Sequence, residues 1–84
     1  MAELVSLRNI GKEIEKKLRS VGITTSEELI KAGSREAFIR LKSRYPNVCL
    51  VHLYTLEGAI SNTEYYQLRE DVKQDLKIFS DGLK

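Results

Sequence analysis

The sequence predicts an all-α fold, a compact bundle of about five short helices in a single domain spanning residues 1–84. Glycines stand at positions 11, 22 and 33, and each follows an apolar or small residue. Apolar residues between and beyond these glycines recur at intervals of three or four, as on one face of an α-helix. Because glycine reaches positive φ without a steric clash, each glycine can end one helix and let the next begin soon after. The composition, 42% hydrophobic and 31% charged, is typical of a globular domain with one core.

The first two elements precede the second glycine. Residues 1–7 are expected to form another turn of helix that leads into the first glycine corner. The segment from Lys12 to Val21 is predicted to be an amphipathic helix. Its apolar stripe follows the i, i+4, i+7 spacing and consists of Ile14, Leu18 and Val21.

A helix ending and a helix start follow one another directly after this segment. Gly22 occupies the position where a left-handed residue ends a helix, and Ile23 can fold back onto Leu18 as in a Schellman ending. Thr25 and Glu28 have the spacing of a capping box, in which each side chain satisfies a backbone N–H of the other residue. The next helix is therefore expected to begin at Thr25.

Gly33 is predicted to end that helix, and Ser34 to cap a third one that stops at Pro46. The apolar positions of the third helix have helical spacing: Ala37, Phe38, Leu41 and Tyr45. Basic residues alternate with them: Arg35, Arg40, Lys42 and Arg44.

The C-terminal half is predicted to hold two more helices. Asn47 can cap a buried helix over Val48–Ile60, closed by Gly58 or by the cluster at 61–63. By composition the start of this segment also resembles a buried strand, but a lone strand would have no partner for its backbone groups. A last amphipathic helix is expected from about Arg69 to about Ser80, with an acidic outer face.

The charge is unevenly distributed along the chain. Residues 1–45 hold ten basic and six acidic residues (+4), and residues 46–84 hold four and six (−2). This asymmetry is compatible with an anionic partner that approaches the N-terminal half. The apolar run from Val48 to Leu56 is too short to span a bilayer and the N-terminus lacks a signal-peptide pattern, so we expect a cytoplasmic protein without a membrane contact.

The first glycine corner is the main candidate site. The N–H groups of Gly11 and Lys12, at the start of a helix, can bind a phosphate of duplex DNA, with Lys16 adding positive charge. The predicted nucleic-acid-binding residues are Asn9, Ile10, Gly11, Lys12, Lys16 and Arg19. The alternative is a tight helical corner without a ligand. Pairing of Glu13 with Lys17 and of Glu15 with Arg19 is expected to neutralise part of this charge.

Other candidate sites have less support. The basic residues of the third helix can extend the phosphate-binding surface, but a solvated helix face is the preferred interpretation. Cys49 and His52 offer only two metal ligands where a closed zinc site needs four, so no metal or cofactor is predicted, and the thiol is expected to be buried. Tyr65 and Tyr66 are expected to pack at the core or its rim. No catalytic constellation is visible.

Several segments together resemble a known family. The run from Leu7 to Gly11 and the Val21-Gly22-Ile23 turn resemble a helix-hairpin-helix pattern. With the segments 38–42 and 56–60, nearly the whole chain from Leu7 to Leu76 resembles the C-terminal domain of TfoX, the bacterial regulator of DNA-transformation competence. The chain departs from the pattern at Asn9, where DNA-binding hairpins favour glycine, and at Arg69, where relatives tend to carry proline.

The resemblance implies a helix-hairpin-helix-like fold and a non-enzymatic role in regulating competence or transcription. The expected partners are duplex DNA, bound weakly through its phosphates, and a transcription-related protein. The alternative is a protein–protein adaptor that never touches nucleic acid and uses an apolar or tyrosine-bearing surface, for example as a homodimer.

Overall fold

A computed structural model of the chain describes residues 4–83. Within these residues the order of elements is a 3₁₀ turn at Leu4–Ser6, α1 (Lys12–Ser20), α2 (Ser26–Arg44), α3 (Leu50–Ser61), a second 3₁₀ turn at Tyr65–Gln67 and α4 (Glu70–Asp81). The all-α prediction is confirmed. The predicted turn of helix at residues 1–7 is a 3₁₀ turn as far as Leu4, and residues 1–3 lie outside the described residues.

The end of α1 and the start of α2 follow the predicted geometry. Gly22 has φ +89, its N–H donates to Arg19 O at 3.1 Å, and Ile23 N–H donates to Leu18 O at 2.9 Å. These two bonds are those of a Schellman motif. Thr25 is the N-cap of α2, and its capping box with Glu28 is present. Hydrogen bonds from Thr24, chiefly from its hydroxyl, lower the pKa of Glu28 below its ordinary value.

A kink at Gly33 divides α2 into the two predicted helices. The glycine has φ 88 and ψ 161, a conformation essentially restricted to glycine. Within residues 4–83 no backbone N–H donates to the Ser34 hydroxyl, so Ser34 does not play the predicted capping role; its hydroxyl donates instead to Glu57 Oε1 at 2.6 Å. This bond ties the kink to α3, which packs on α2 more extensively than any other pair of elements within residues 4–83.

The start of α3 differs from the prediction. Its N-cap is Cys49, two residues after Asn47, and the Cys49 side chain is exposed rather than buried. The backbone N–H of Cys49 donates to His52 Nδ1 at 3.1 Å. The imidazole therefore takes the place that a glutamate or glutamine has in an ordinary capping box.

This cap makes the stability of the chain sensitive to pH. Burial of the imidazole and then the positive charge of Lys17 lower the pKa of His52 below its ordinary 6.5. The unfolded chain therefore binds the proton first, and the free energy of unfolding decreases as the pH falls from about 6.5 towards the pKa of the folded state. We expect urea titrations to show this decline between about pH 7 and pH 5.5.

The matched variant for this prediction is His52→Gln, which keeps an acceptor for the Cys49 amide and removes the titrating ring. It should abolish the decline in this pH range. If His52→Gln retains the wild-type pH dependence, another group causes it.

The end of α3 and the start of α4 lie close to their predicted positions. Asn62, with φ 57 and ψ 44, ends α3 in the left-handed conformation, so the cluster at 61–63 and not Gly58 closes the helix. Arg69 is the N-cap of α4, which begins at Glu70. Tyr65 and Tyr66 are 41% and 62% exposed and form an edge-to-face pair, so they are not core residues.

One hydrophobic core receives side chains from the first 3₁₀ turn and from all four α-helices. Its largest fully buried members are Phe38, Leu4, Leu18, Ile23, Leu29, Leu41, Leu53, Leu56 and Leu76. Ile10 and Leu68, from the connections, are also buried in it. None of the helices within residues 4–83 combines the length and the apolar character that crossing a bilayer requires.

Candidate nucleic-acid interface

The first corner is a tight turn between the Leu4–Ser6 3₁₀ turn and α1. Leu7 N–H donates to Leu4 O at 3.0 Å, and Ile10 N–H donates to Leu7 O at 3.3 Å. Asn9 takes the left-handed conformation with φ 71, whereas Gly11 is extended with φ −97 and ψ −178. The positive φ expected of the glycine is therefore supplied by the asparagine, which tolerates this region better than most residues.

Gly11 is the N-cap of α1 and leaves the helix start open. It has no side chain to cap the helix, and both Gly11 and Lys12 are exposed. A Cβ built on Gly11 would meet no atom within 4 Å. Within residues 4–83 the N–H groups of Gly11 and Lys12 have no hydrogen-bond acceptor. Donors of this kind at a helix N-terminus are suited to an anion.

Three predicted cations share the exposed face of α1. Lys12, Lys16 and Arg19 are exposed and follow one another at i, i+4 and i+7. Arg19 lies 3.9 Å from Glu15, a long ion pair between partly exposed groups that leaves most of the charge available. Glu15 and Glu13, both near the helix start, reduce the positive potential there.

Lys17 departs from the predicted pairing. No ion pair with Glu13 forms within the described part of the chain, and the Lys17 ammonium lies 5.5 Å from the centroid of the Tyr45 ring. The Tyr45 hydroxyl is bonded to Ser20 Oγ at 2.7 Å.

The side chains of Asn9 and Ile10 point into the molecule. Ile10 is 6% exposed and belongs to the core. The Asn9 side chain donates from Nδ2 to Thr63 O at 3.0 Å, in the connection that follows α3. The asparagine amide therefore points into the molecule, and the approach to Gly11 and Lys12 stays open.

Arg8 adds a second link between the corner and the same connection. Its Nη1 forms an ion pair with Glu64 Oε1 at 2.8 Å, and its Nε donates to Asn62 Oδ1 at 3.3 Å. We call Arg8, Asn9, Asn62, Thr63 and Glu64 the corner clasp. Residues more than fifty positions apart form it, so no spacing in the sequence indicated it.

Of the four basic residues predicted to extend this surface, three contact groups in α2, in α4 or in the connection to α3, and Arg44 contacts Tyr45. Arg35 lies over the Phe79 ring at 5.7 Å, Arg40 pairs with Glu36 at 2.9 Å, and Lys42 donates to Val48 O at 2.9 Å. The Arg44 guanidinium lies 5.8 Å from the centroid of Tyr45, whose hydroxyl is bonded to Ser20 at the end of α1.

The Cys49 and His52 pair offers little to a metal ion. His52 Nδ1 already accepts the Cys49 amide, and the thiol lies 3.6 Å from the same nitrogen. Among residues 4–83 no group of three or more His, Cys, Asp or Glu side chains is arranged to hold a metal ion.

Comparison with known proteins places the chain in a family. The family model of the TfoX C-terminal domain matches residues 1–79. A crystal structure of an uncharacterized protein from Listeria monocytogenes, in a triclinic form, superposes with a TM-score of 0.94 at 43% identity, covering 98% of this chain and 93% of that chain. A protein of unknown function from the same organism, in a tetragonal form, gives 0.93 at 42% identity, covering 96% and 99%. No curated protein matches significantly. The chain belongs to the TfoX C-terminal domain family.

Proposed function

We propose that this domain is a non-enzymatic regulatory module that contributes to the control of competence or transcription by binding phosphates of duplex DNA. The observation that carries the proposal is the open start of α1, where the exposed amides of Gly11 and Lys12 lie beside the exposed Lys16. A phosphate at this point would accept backbone hydrogen bonds and interact with the positive end of the helix dipole.

The charge of the site sets the expected strength of binding. If three or four phosphates are contacted, the logarithm of affinity should fall with the logarithm of salt concentration with a slope of about −3. The affinity then belongs to the weak, sequence-independent range of roughly 10⁻⁴ to 10⁻⁶ M. Such a domain acts together with a second DNA-binding unit or with a protein partner.

The double variant Lys12→Glu/Lys16→Glu is expected to weaken binding to a short DNA duplex and to reduce the salt slope from about −3 to about −1. Fluorescence anisotropy over a salt series measures both quantities. The matched control is Lys73→Glu/Lys77→Glu, which makes the same change at the same i, i+4 spacing on α4, the helix that packs on α3. Equal losses in the two double variants would show a general charge effect and contradict the proposed site.

A variant of Gly11 separates the backbone amides from the lysines. Gly11→Asp places a carboxylate at the N-cap of α1, where it accepts hydrogen bonds from the first turn and stabilises the helix by a few tenths of a kcal/mol. The same carboxylate occupies the phosphate position, so DNA affinity should fall while thermal stability holds or rises. Unchanged DNA affinity would show that the backbone amides of Gly11 and Lys12 do not bind the phosphate.

A protein–protein adaptor is the second candidate function. The observation that favours it is a set of large apolar side chains that are exposed: Val51 (53%), Tyr66 (62%) and Ile78 (69%). Absence of DNA binding by the wild-type domain at low salt would favour the adaptor.

A further inference from the structure

Two cations lie close to one aromatic ring where the end of α2 meets α1. The Lys17 ammonium is 5.5 Å from the Tyr45 centroid, and the Arg44 guanidinium is 5.8 Å from it. Ser20 Oγ donates to Lys17 O at 2.6 Å, so the Tyr45 hydroxyl is the donor in its bond to Ser20 Oγ at 2.7 Å. These bonds fix the ring beside the two cations.

Neither cation has an acidic partner within residues 4–83. The ion pairs there involve Arg8, Arg19, Arg40, Arg69 and Lys73. Interaction with the Tyr45 ring leaves both positive charges uncompensated. Two like charges held against one ring repel each other, and a bound anion would remove this repulsion.

The cluster continues the basic surface of α1. Lys17 follows Lys16 directly, so it lies about 100° further around the helix. The positive surface therefore extends from the exposed face of α1 to Tyr45 and Arg44. Arginine matches the oxygens of a phosphate with two parallel N–H donors, and lysine adds a point charge.

We propose that Lys17, Tyr45 and Arg44 form a second phosphate-binding site, which takes a backbone phosphate of the duplex that the start of α1 contacts. Tyr45 is a positioning residue, because its hydroxyl already donates a hydrogen bond to Ser20. The proposal rests on the proposed function, and it adds a contact that the hairpin alone does not supply.

The first test is the salt dependence of DNA binding by Arg44→Gln and Lys17→Gln. Each variant should reduce the magnitude of the salt slope by about 1. The ratio of the wild-type DNA affinity to the variant DNA affinity should therefore shrink about threefold between 50 and 200 mM salt. Arg69→Gln and Lys77→Gln are the controls, because they remove exposed cations of α4 and its N-cap. They should keep the wild-type slope.

The second test uses the only histidine of the chain as a reporter. The positive charge of Lys17 lowers the pKa of His52, after the larger effect of burial. A phosphate bound at Lys17 cancels this effect, so the His52 pKa measured by NMR should rise when the duplex is added. The rise should be smaller in Arg44→Gln. Inorganic phosphate at the same phosphate concentration should leave the pKa unchanged, and an equal rise would overturn the assignment to nucleic acid.

The outcomes separate this proposal from the proposed function. If Lys12→Glu/Lys16→Glu weakens binding while Arg44→Gln keeps the wild-type slope and the His52 pKa stays constant, the second site is wrong and the first stands. If the wild-type domain binds no duplex at low salt, the proposed function fails and the second site fails with it.

Discussion

Replacing Phe38 with alanine is expected to lower the free energy of unfolding by about 3–5 kcal/mol, the range for a buried phenylalanine. Phe38 is 0% exposed and leads the largest fully buried side chains. It lies in the part of α2 after the Gly33 kink, and α2 packs on α3. Its removal takes apolar surface from the core and leaves a cavity that α2 and α3, joined by the Ser34–Glu57 hydrogen bond, cannot easily close.

A loss of this size is large for a small domain, because folded domains are stable by only about 5–15 kcal/mol. The neighbouring Ile39→Ala is the matched control on the same helix, since Ile39 is 40% exposed. Its cost should stay below about 1 kcal/mol. Urea denaturation followed by far-ultraviolet circular dichroism measures both changes. Similar losses in the two variants would contradict the position of Phe38 at the centre of the core.

The helix boundaries that the sequence predicted correctly depend on local chemistry. The Gly22 ending, the Thr25 capping box and the Gly33 break each involve residues within a few positions of one another. Their outcome is set by backbone sterics and short hydrogen bonds, which act in the same way in many folds. Sequence reasoning is most reliable for features of this kind.

The predicted start of α3 was wrong because an unusual side chain provides the cap. Asn47 has the stronger preference for an N-cap position, but the chain continues past it with Val48 buried in the core, and His52 supplies the acceptor for Cys49. Burial of Val48 thus overrides the local preference of Asn47. The exposed thiol of Cys49 follows from the same shift.

The candidate site was only partly accessible to sequence reasoning. Helical spacing placed Lys12, Lys16 and Arg19 on one face, and the structure has them there. Helical spacing could not show that Lys17 lies over the Tyr45 ring instead of pairing with Glu13, because this contact depends on how α1 and α2 pack. Whether these residues bind nucleic acid stays a prediction.

Gly58→Ala is expected to have the second large effect, on both stability and the position of the corner. A Cβ at Gly58 would collide with Thr63 O and with Asn9 Nδ2. One of these atoms is backbone, and the two are hydrogen-bonded to each other. A rotamer change of Asn9 alone cannot remove the collision. We therefore expect a loss of about 2–3 kcal/mol in the free energy of unfolding.

Gly82→Ala is the control for this variant. Gly82 has helical angles, φ −69 and ψ −14, and a Cβ there would meet its nearest atom at 3.5 Å, an ordinary contact. The substitution should therefore be neutral or slightly stabilising. A Gly58→Ala variant as stable as Gly82→Ala would show that the connection after α3 adjusts freely.

The collision at Gly58 also connects the core to the candidate interface. The clash pushes against Asn9 and Thr63, which belong to the corner clasp, and the clasp holds the turn that leads to Gly11. If the clasp orients the start of α1, Gly58→Ala should weaken DNA binding even where the domain is still fully folded, and the amide signals of Asn9 and Gly11 should shift in the free protein. Wild-type affinity in a folded Gly58→Ala domain with shifted Asn9 signals would mean that the phosphate contact does not depend on the position of this turn. The lysines of α1 would then account for the binding without the backbone amides.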